Sequence, residues 1–179
     1  TLLTLMTKSK IDTHVSLIYS HNLLNYGFWH QQLLAESIGK NGKDFTPIIS
    51  ECPKDHHSIM QLYLGGKRNK FFTFFKTINN KIDQSIIDYF DQKFKKSSLD
   101  NIVDAQFNAT IKVFKKNLIP FRVILIDQKK PIQSFISLLV YSMLETAILC
   151  KALNLNPFNQ PAVEAVSYTH LTLPTILLV

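Results

Sequence analysis

Between Trp29 and Tyr63 the chain reads WHQQLLAESIGKNGKDFTPIISECPKDHHSIMQLY and gathers polar side chains that a packed interior has little use for. Gln32 and Glu36 are four residues apart, so on a helix they share a ridge with Leu24 and Phe28, beside an apolar row of Tyr26, Trp29 and Leu33. A helix apolar over most of its girth is expected to be buried. A carboxylate on it must then be paired, hydrogen-bonded or kept for chemistry, because desolvating an unpaired charge is expensive. The alternative is a Glu36 that reaches solvent from the last turn, and spacing alone leaves both open. His56 and His57 add groups of a type that titrates near neutral pH. With Asp55 and Glu36 close in sequence they invite a metal-ligand reading, but neighbouring residues on a helix point about 100° apart. No second His or Cys cluster completes a set, so no metal site is expected.

The elements that must position these residues can be read from pattern. Ser20 is a natural N-cap and Gly39 a natural stop for the helix carrying Gln32 and Glu36. HVSLIY, from His14 to Tyr19, reads as a short buried strand feeding that helix, and ligands collect at such strand ends in open α/β sheets. TPIIS reads as a short strand, and a second helix is expected from His56 to Leu64, stopped by Gly65 and Gly66. Phe71 to Ile78 is aromatic enough for a central strand. Lys81 to Lys96 reads as a polar excursion, and Leu99 to Asn117 as an amphipathic helix burying Ile102, Val103, Phe107, Ile111 and Phe114. FRVILID predicts another buried strand. The long apolar helix from Pro131 to Leu153 is read as a core helix and not a membrane span, since Glu145 lies inside it and Pro131 at its front. The sum is an α/β fold with a mainly parallel sheet flanked by helices.

At 179 residues the chain has room for one such domain and not for two. Its net charge of +7 is spread through KSK, KRNK, KFKK, KVFKK and DQKK, so no nucleic-acid partner is expected. Cys52 and Cys150 lack zinc-like spacing and no signal peptide is visible, which points to the cytoplasm.

Three stretches, QQLLAESIGKNGK, DHHSIMQLYLGG and NPFNQPAVEAV, resemble in type and order the motifs of the glucose-6-phosphate isomerase family, in the bacterial form with a short insertion between the first two. Similarity between them is looser and includes MLET in the late apolar helix. The resemblance implies that residues 1–166 are the C-terminal sugar-isomerase-type domain of a two-domain protein, incomplete at its N-terminal side. It implies cofactor-free interconversion of glucose 6-phosphate and fructose 6-phosphate through an enediol, the step of glycolysis and gluconeogenesis. By this resemblance Glu36 is the base, Gln32 and Gln160 are substrate-site glutamines, and His57 is the ring-opening histidine, with His56 its competitor. A carboxylate suits proton transfer between neighbouring carbons, and a histidine suits ring opening. In the family that histidine reaches into the partner subunit's site, so a homodimer with shared active sites is implied, with a sugar-phosphate substrate and no membrane partner.

The sequence also departs from the family. The lysine that should follow NPFNQPAVEAV is replaced by Ser167, and Asn159 stands where the family has Asp. SYTHLTLPTILLV then follows without a linker, and VSYTHLTLPT resembles a translated transposon-type sequencing adapter, so residues 167–179 are read as a non-native tail. The family's phosphate cradle belongs to a preceding domain and has no counterpart here, while Glu145 and Glu164 suit structural ion pairs. These departures predict an inactive fragment of an isomerase. The rival expectation is a non-catalytic sugar-phosphate-binding module of the same fold.

Overall fold

The computed structural model describes residues 11–40, 42, 44–78 and 99–164. Four runs rich in β-branched and aromatic residues form strands: β1 (Thr13–Ile18), β2 (Thr46–Glu51), β3 (Lys70–Ile78) and β4 (Phe121–Asp127). All pair in parallel in the order β2-β1-β3-β4. The helices are α1 (Leu24–Ile38), α2 (Met60–Gly65), α3 (Leu99–Lys116) and α4 (Pro131–Ala152), with 3-10 turns at His21–Leu23 and Lys54–His56. Thr13 pairs with Thr46 and Lys70 at one edge of the sheet, and Ile18 with Glu51 and Phe75 at the other. A parallel sheet requires each connection to return to the starting edge, and α1 makes that return for β1.

Alternation along the central strands builds two cores. On one face, Val15, Leu17, Phe72 and Phe74 pack with Phe107 and Phe114, whose rings meet Phe74 edge-on. On the other, Leu34 and Ile38 of α1 pack with Ile11, Phe45, Phe71 and Leu149, and beside them Tyr26 packs with Ile18, Phe75 and Leu138.

That second face also holds polar groups. The guanidinium of Arg122 donates to both carboxylate oxygens of Glu145, with Nη2 2.8 Å from Oε2, while its Nε donates to Thr73 Oγ1 at 2.9 Å. Thr73 Oγ1 is in turn 2.8 Å from His14 Nε2. The His30 ring is 6.0 Å from His14, stacks on Tyr26, and Tyr26 Oη is 2.8 Å from Ser142 Oγ. Glu145 is thus a structural ion-pair member that ties α4 to β4.

Several expectations change. The ridge of Leu24, Phe28, Gln32 and Glu36 faces outward, with Phe28 54% exposed, and the buried face of α1 is Tyr26, Gly27, His30, Leu34, Ser37 and Ile38. The reason is compositional: apolar residues surround α1, so periodicity could not choose the inner side. Ser20 caps no helix through its side chain; its hydroxyl accepts from the Thr77 N–H at 2.9 Å and pairs with Thr77 Oγ1. The second helix splits into the Lys54–His56 turn and α2. β4 is an edge strand with Val123 and Leu125 partly exposed, not a buried one. Helix α4 is buried along a single stripe containing Ser142 and Thr146, whose hydroxyls donate to carbonyls four residues back, while Ile132, Ile136, Leu144 and Ile148 are more than half exposed. Small hydroxylated residues allow the close approach to α1, and the bulky ones point away. By length and composition α4 could cross a membrane. Lys81–Lys96, the opening residues Thr1–Lys10 and the tail 167–179 lie outside the described residues.

Burial pushes His14 well below its ordinary 6.5, with the nearby His30 and Arg122 charges adding to the effect. Burial also takes His30 down to about 4, against an opposing pull from Glu145. Both therefore take up protons on unfolding. The stability they contribute is complete above the ordinary histidine range and is lost as pH falls toward the folded value. Denaturant unfolding should show a loss on the order of 3 kcal/mol between about pH 7 and about pH 4 from His30 alone. His30→Phe should flatten that profile, and an unchanged slope would contradict the assignment.

Candidate active site

Glu36 lies in the last turn of α1, at the edge of the sheet where the strands begin. The Gly39 N–H closes α1 on the Ala35 carbonyl at 3.0 Å. A Cβ on Gly39 would fall 2.5 Å from that oxygen, so the glycine is needed for close approach and not for a left-handed backbone, its φ being −68°. The Lys40 N–H then donates to Ile38 O at 2.7 Å, and Lys40 Nζ to Asn156 O at 2.5 Å.

Asn156 belongs to the segment leaving α4. Asn154, with φ 55°, takes the left-handed position, Leu155 N–H donates to Cys150 O at 2.8 Å and Asn154 N–H to Lys151 O at 3.2 Å. These are the two closing bonds of a Schellman cap. The cap turns Leu155 into the core beside Leu34 and Ile38 and sends residues 156–160 across the end of α1. Gln160 Nε2 there donates to Glu36 Oε2 at 2.7 Å, while Gln32 Nε2, one turn back on α1, donates to Oε1 at 2.8 Å. Glu36 is half-buried, and each carboxylate oxygen holds one amide. A cleft of ≈230 Å³ opens here, bounded by Glu36, Lys40, Gln160 and the chain from Pro161 to Val163. Three of the four sequence-selected residues, Gln32, Glu36 and Gln160, are thus brought together. Lys40 carries no signal in the sequence, because a lysine after a helix-ending glycine looks like a solvated turn residue.

His57 lies elsewhere. It follows the Lys54–His56 turn beyond the far end of β2, and is exposed. Helix α1 runs back about 22 Å from the edge where His57 sits to the edge where Glu36 sits, so the two are at opposite edges of one sheet. His57 therefore lies at the strand end that feeds α1, and Glu36 at the opposite one. His56 turns inward, with Nε2 2.7 Å from Tyr19 Oη, and burial lowers its basicity first, with neighbouring His57 adding to the effect. Asp55 pins the turn: Oδ2 accepts from Ser50 Oγ at 2.8 Å and the Glu51 N–H at 2.9 Å, and Oδ1 from Ser58 Oγ at 3.2 Å. Of the two histidines, His57 is the one left accessible to a ligand. Among the described residues no group of three His, Cys, Asp or Glu side chains is arranged to hold a metal ion.

No protein-family model matches the chain. It is 34% identical to the glucose-6-phosphate isomerase of Methanocaldococcus jannaschii over 155 residues, 86% of this chain and 38% of that one. It is 30% identical to that of Mesomycoplasma hyopneumoniae over 159 residues, with 86% and 37% covered. The Campylobacter jejuni protein of the same name is 28% identical over 166 residues, 88% of this chain and 41% of its own length. Over most of its length the chain is thus similar in sequence to a segment of glucose-6-phosphate isomerases. It spans only about two fifths of the length of these relatives. A solved structure, that of a hypothetical protein from Thermus thermophilus, shares the fold at TM-score 0.75 and 22% identity, covering 94% of this chain and 42% of that one. The isomerase relatives match by sequence, and the Thermus structure supports the α/β architecture.

Gly39→Ala should cost about 1–3 kcal/mol in denaturant unfolding, since backbone must move to relieve a contact with a carbonyl. A substitution tolerated without loss would show that the end of α1 is less closely packed than the geometry indicates.

Proposed function

We propose that this chain carries the base and ring-opening parts of a glucose-6-phosphate isomerase site. The observation that carries the reading is the pair of amides on Glu36, because the second comes from a residue 124 positions away. A glutamine amide has two N–H groups and a carbonyl, so Gln32 and Gln160 can each hold the carboxylate and still bind a sugar hydroxyl. In the open-chain aldose, Glu36 takes the proton from C2 and the C–H electrons form the C1=C2 bond of the enediol as the C1 oxygen gains a proton. Return of the carried proton to C1, with loss of the C2 hydroxyl proton, gives the ketose. No redox cofactor is needed, and the basic chain favours approach of an anionic sugar phosphate.

The ring must open first, and His57 is the proposed proton shuttle between ring oxygen and anomeric hydroxyl. Because His57 and Glu36 occupy opposite edges, one chain does not supply both to one substrate. The reading is therefore a homodimer in which each site takes Glu36 from one chain and His57 from the other. The phosphate cradle and the ring-opening lysine are assigned to parts of the longer enzyme, so this chain alone is proposed to be inactive. A cytoplasmic setting fits a glycolytic enzyme with two free cysteines.

In the complete enzyme, Glu36→Gln should lower exchange of the substrate C2 proton with solvent by about three orders of magnitude or more, with sugar-phosphate binding retained. Exchange at the wild-type rate would remove Glu36 as the base and move the proton transfer to another group.

A further inference from the structure

The two halves of the Glu36 site come from distant parts of the chain, and little holds them together. Gln32 reaches Glu36 along one helix and needs no help. Gln160 belongs to a segment whose neighbours Asn159, Pro161 and Ala162 are exposed, and Phe158 is 90% exposed. Burial therefore does not place Gln160. Among the described residues, two side-chain hydrogen bonds tie this segment to the end of α1 and the turn after it: the amide of Gln160 on Glu36 and the ammonium of Lys40 on the Asn156 carbonyl. The second lies four residues upstream of Gln160 and leans on an anchored point, because Leu155 is buried and its N–H is fixed by the cap of α4. Lys40 is itself fixed at its base by the Gly39 turn, and its side chain lines the cleft with Glu36 and Gln160.

We infer that Lys40 is a positioning residue of this site: by holding the Asn156 carbonyl against the end of α1, it sets the Gln160 amide on the Glu36 carboxylate. The inference rests on the reading of Glu36 as the base, but its geometry can be tested without turnover. An ammonium has three N–H donors and the carbonyl uses one. Lys40 and the Glu36 carboxylate line the same cleft, a donor and an acceptor that together suit a ligand rich in hydroxyl oxygens. Charge-assisted hydrogen bonds are the stronger kind, so a neutral side chain of similar length should not replace it, whereas arginine should.

The test uses the labelled chain and follows the side-chain amides of Gln32 and Gln160 by NMR in wild type, Lys40→Met and Lys40→Arg. Lys40→Met should move the Gln160 amide to the position of a free glutamine. It should also speed exchange of the Val163 and Glu164 backbone amides, which donate to Gln160 O, by roughly tenfold, the worth of one such bond. Gln32 should stay where it is, since its bond lies within α1. Lys40→Arg should restore the Gln160 signal. An unmoved Gln160 in Lys40→Met would overturn the inference. So would a joint shift of both amides with loss of α1 protection, which would make Lys40 a structural residue only. In the complete enzyme, Lys40→Met should lower kcat more than it raises KM. If the amides respond as described while Glu36→Gln leaves proton exchange intact, the positioning role stands and the reading of Glu36 as the base falls.

Discussion

The parallel pairing of β1 with both of its neighbours constrains everything else in this molecule. Because β2 and β3 run in the same direction as β1, the chain leaving Ile18 must travel back the full height of the sheet before β2 can begin. Helix α1 is that return. Its length delivers Glu36 to the edge where strands start, while the chain leaving β2 stays at the opposite edge and presents His57 there. The separation of the two groups is a direct product of strand direction and helix length, and side-chain movement does not undo it. A site that uses both has to draw on a second copy.

The face of the sheet that carries α1 is held by charge as well as by packing. Arg122 bridges β4 to α4 through Glu145 and reaches Thr73 on β3, and the buried histidines lie alongside on β1 and α1. Removing either member of the ion pair would leave the other partly buried without its counter-charge, the costly situation in such pairs. The pair fixes α4 against the sheet. The cap at Asn154 then directs the chain after α4 over the end of α1. Gln160 reaches Glu36 because these steps follow one another.

Much of this was legible in the sequence where one physical signal dominated. Strands β1, β3 and β4 stood out because β-branched and aromatic runs left few alternatives, and α3 because its apolar stripe had a single side, while β2 was only a possible strand within a loop-like stretch. Gln32, Glu36 and Gln160 were recognisable from motifs, and they converge in space. What could not be read were the faces of α1 and α4, where apolar residues surround the helix and periodicity loses its power to point. In α4 the inner stripe is marked by Ser142 and Thr146, the reverse of a hydrophobicity rule. The left-handed Asn154 and the role of Lys40 were likewise hidden, because each depends on a contact more than a hundred residues away or on a turn without glycine. The distance between Glu36 and His57 was hidden too, since sequence spacing carries no information about sheet edges.

The central claim is that one functional site takes Glu36 and His57 from different chains. The most direct measurement mixes Glu36→Gln and His57→Ala subunits of the complete enzyme after dissociation and reassociation, and follows turnover. Neither variant should act well alone. Random reassociation should restore up to about a quarter of wild-type turnover, because half of the dimers are hybrids and each hybrid holds one intact site. No recovery in verified hybrids would contradict the account and place both groups of a working site on the same chain.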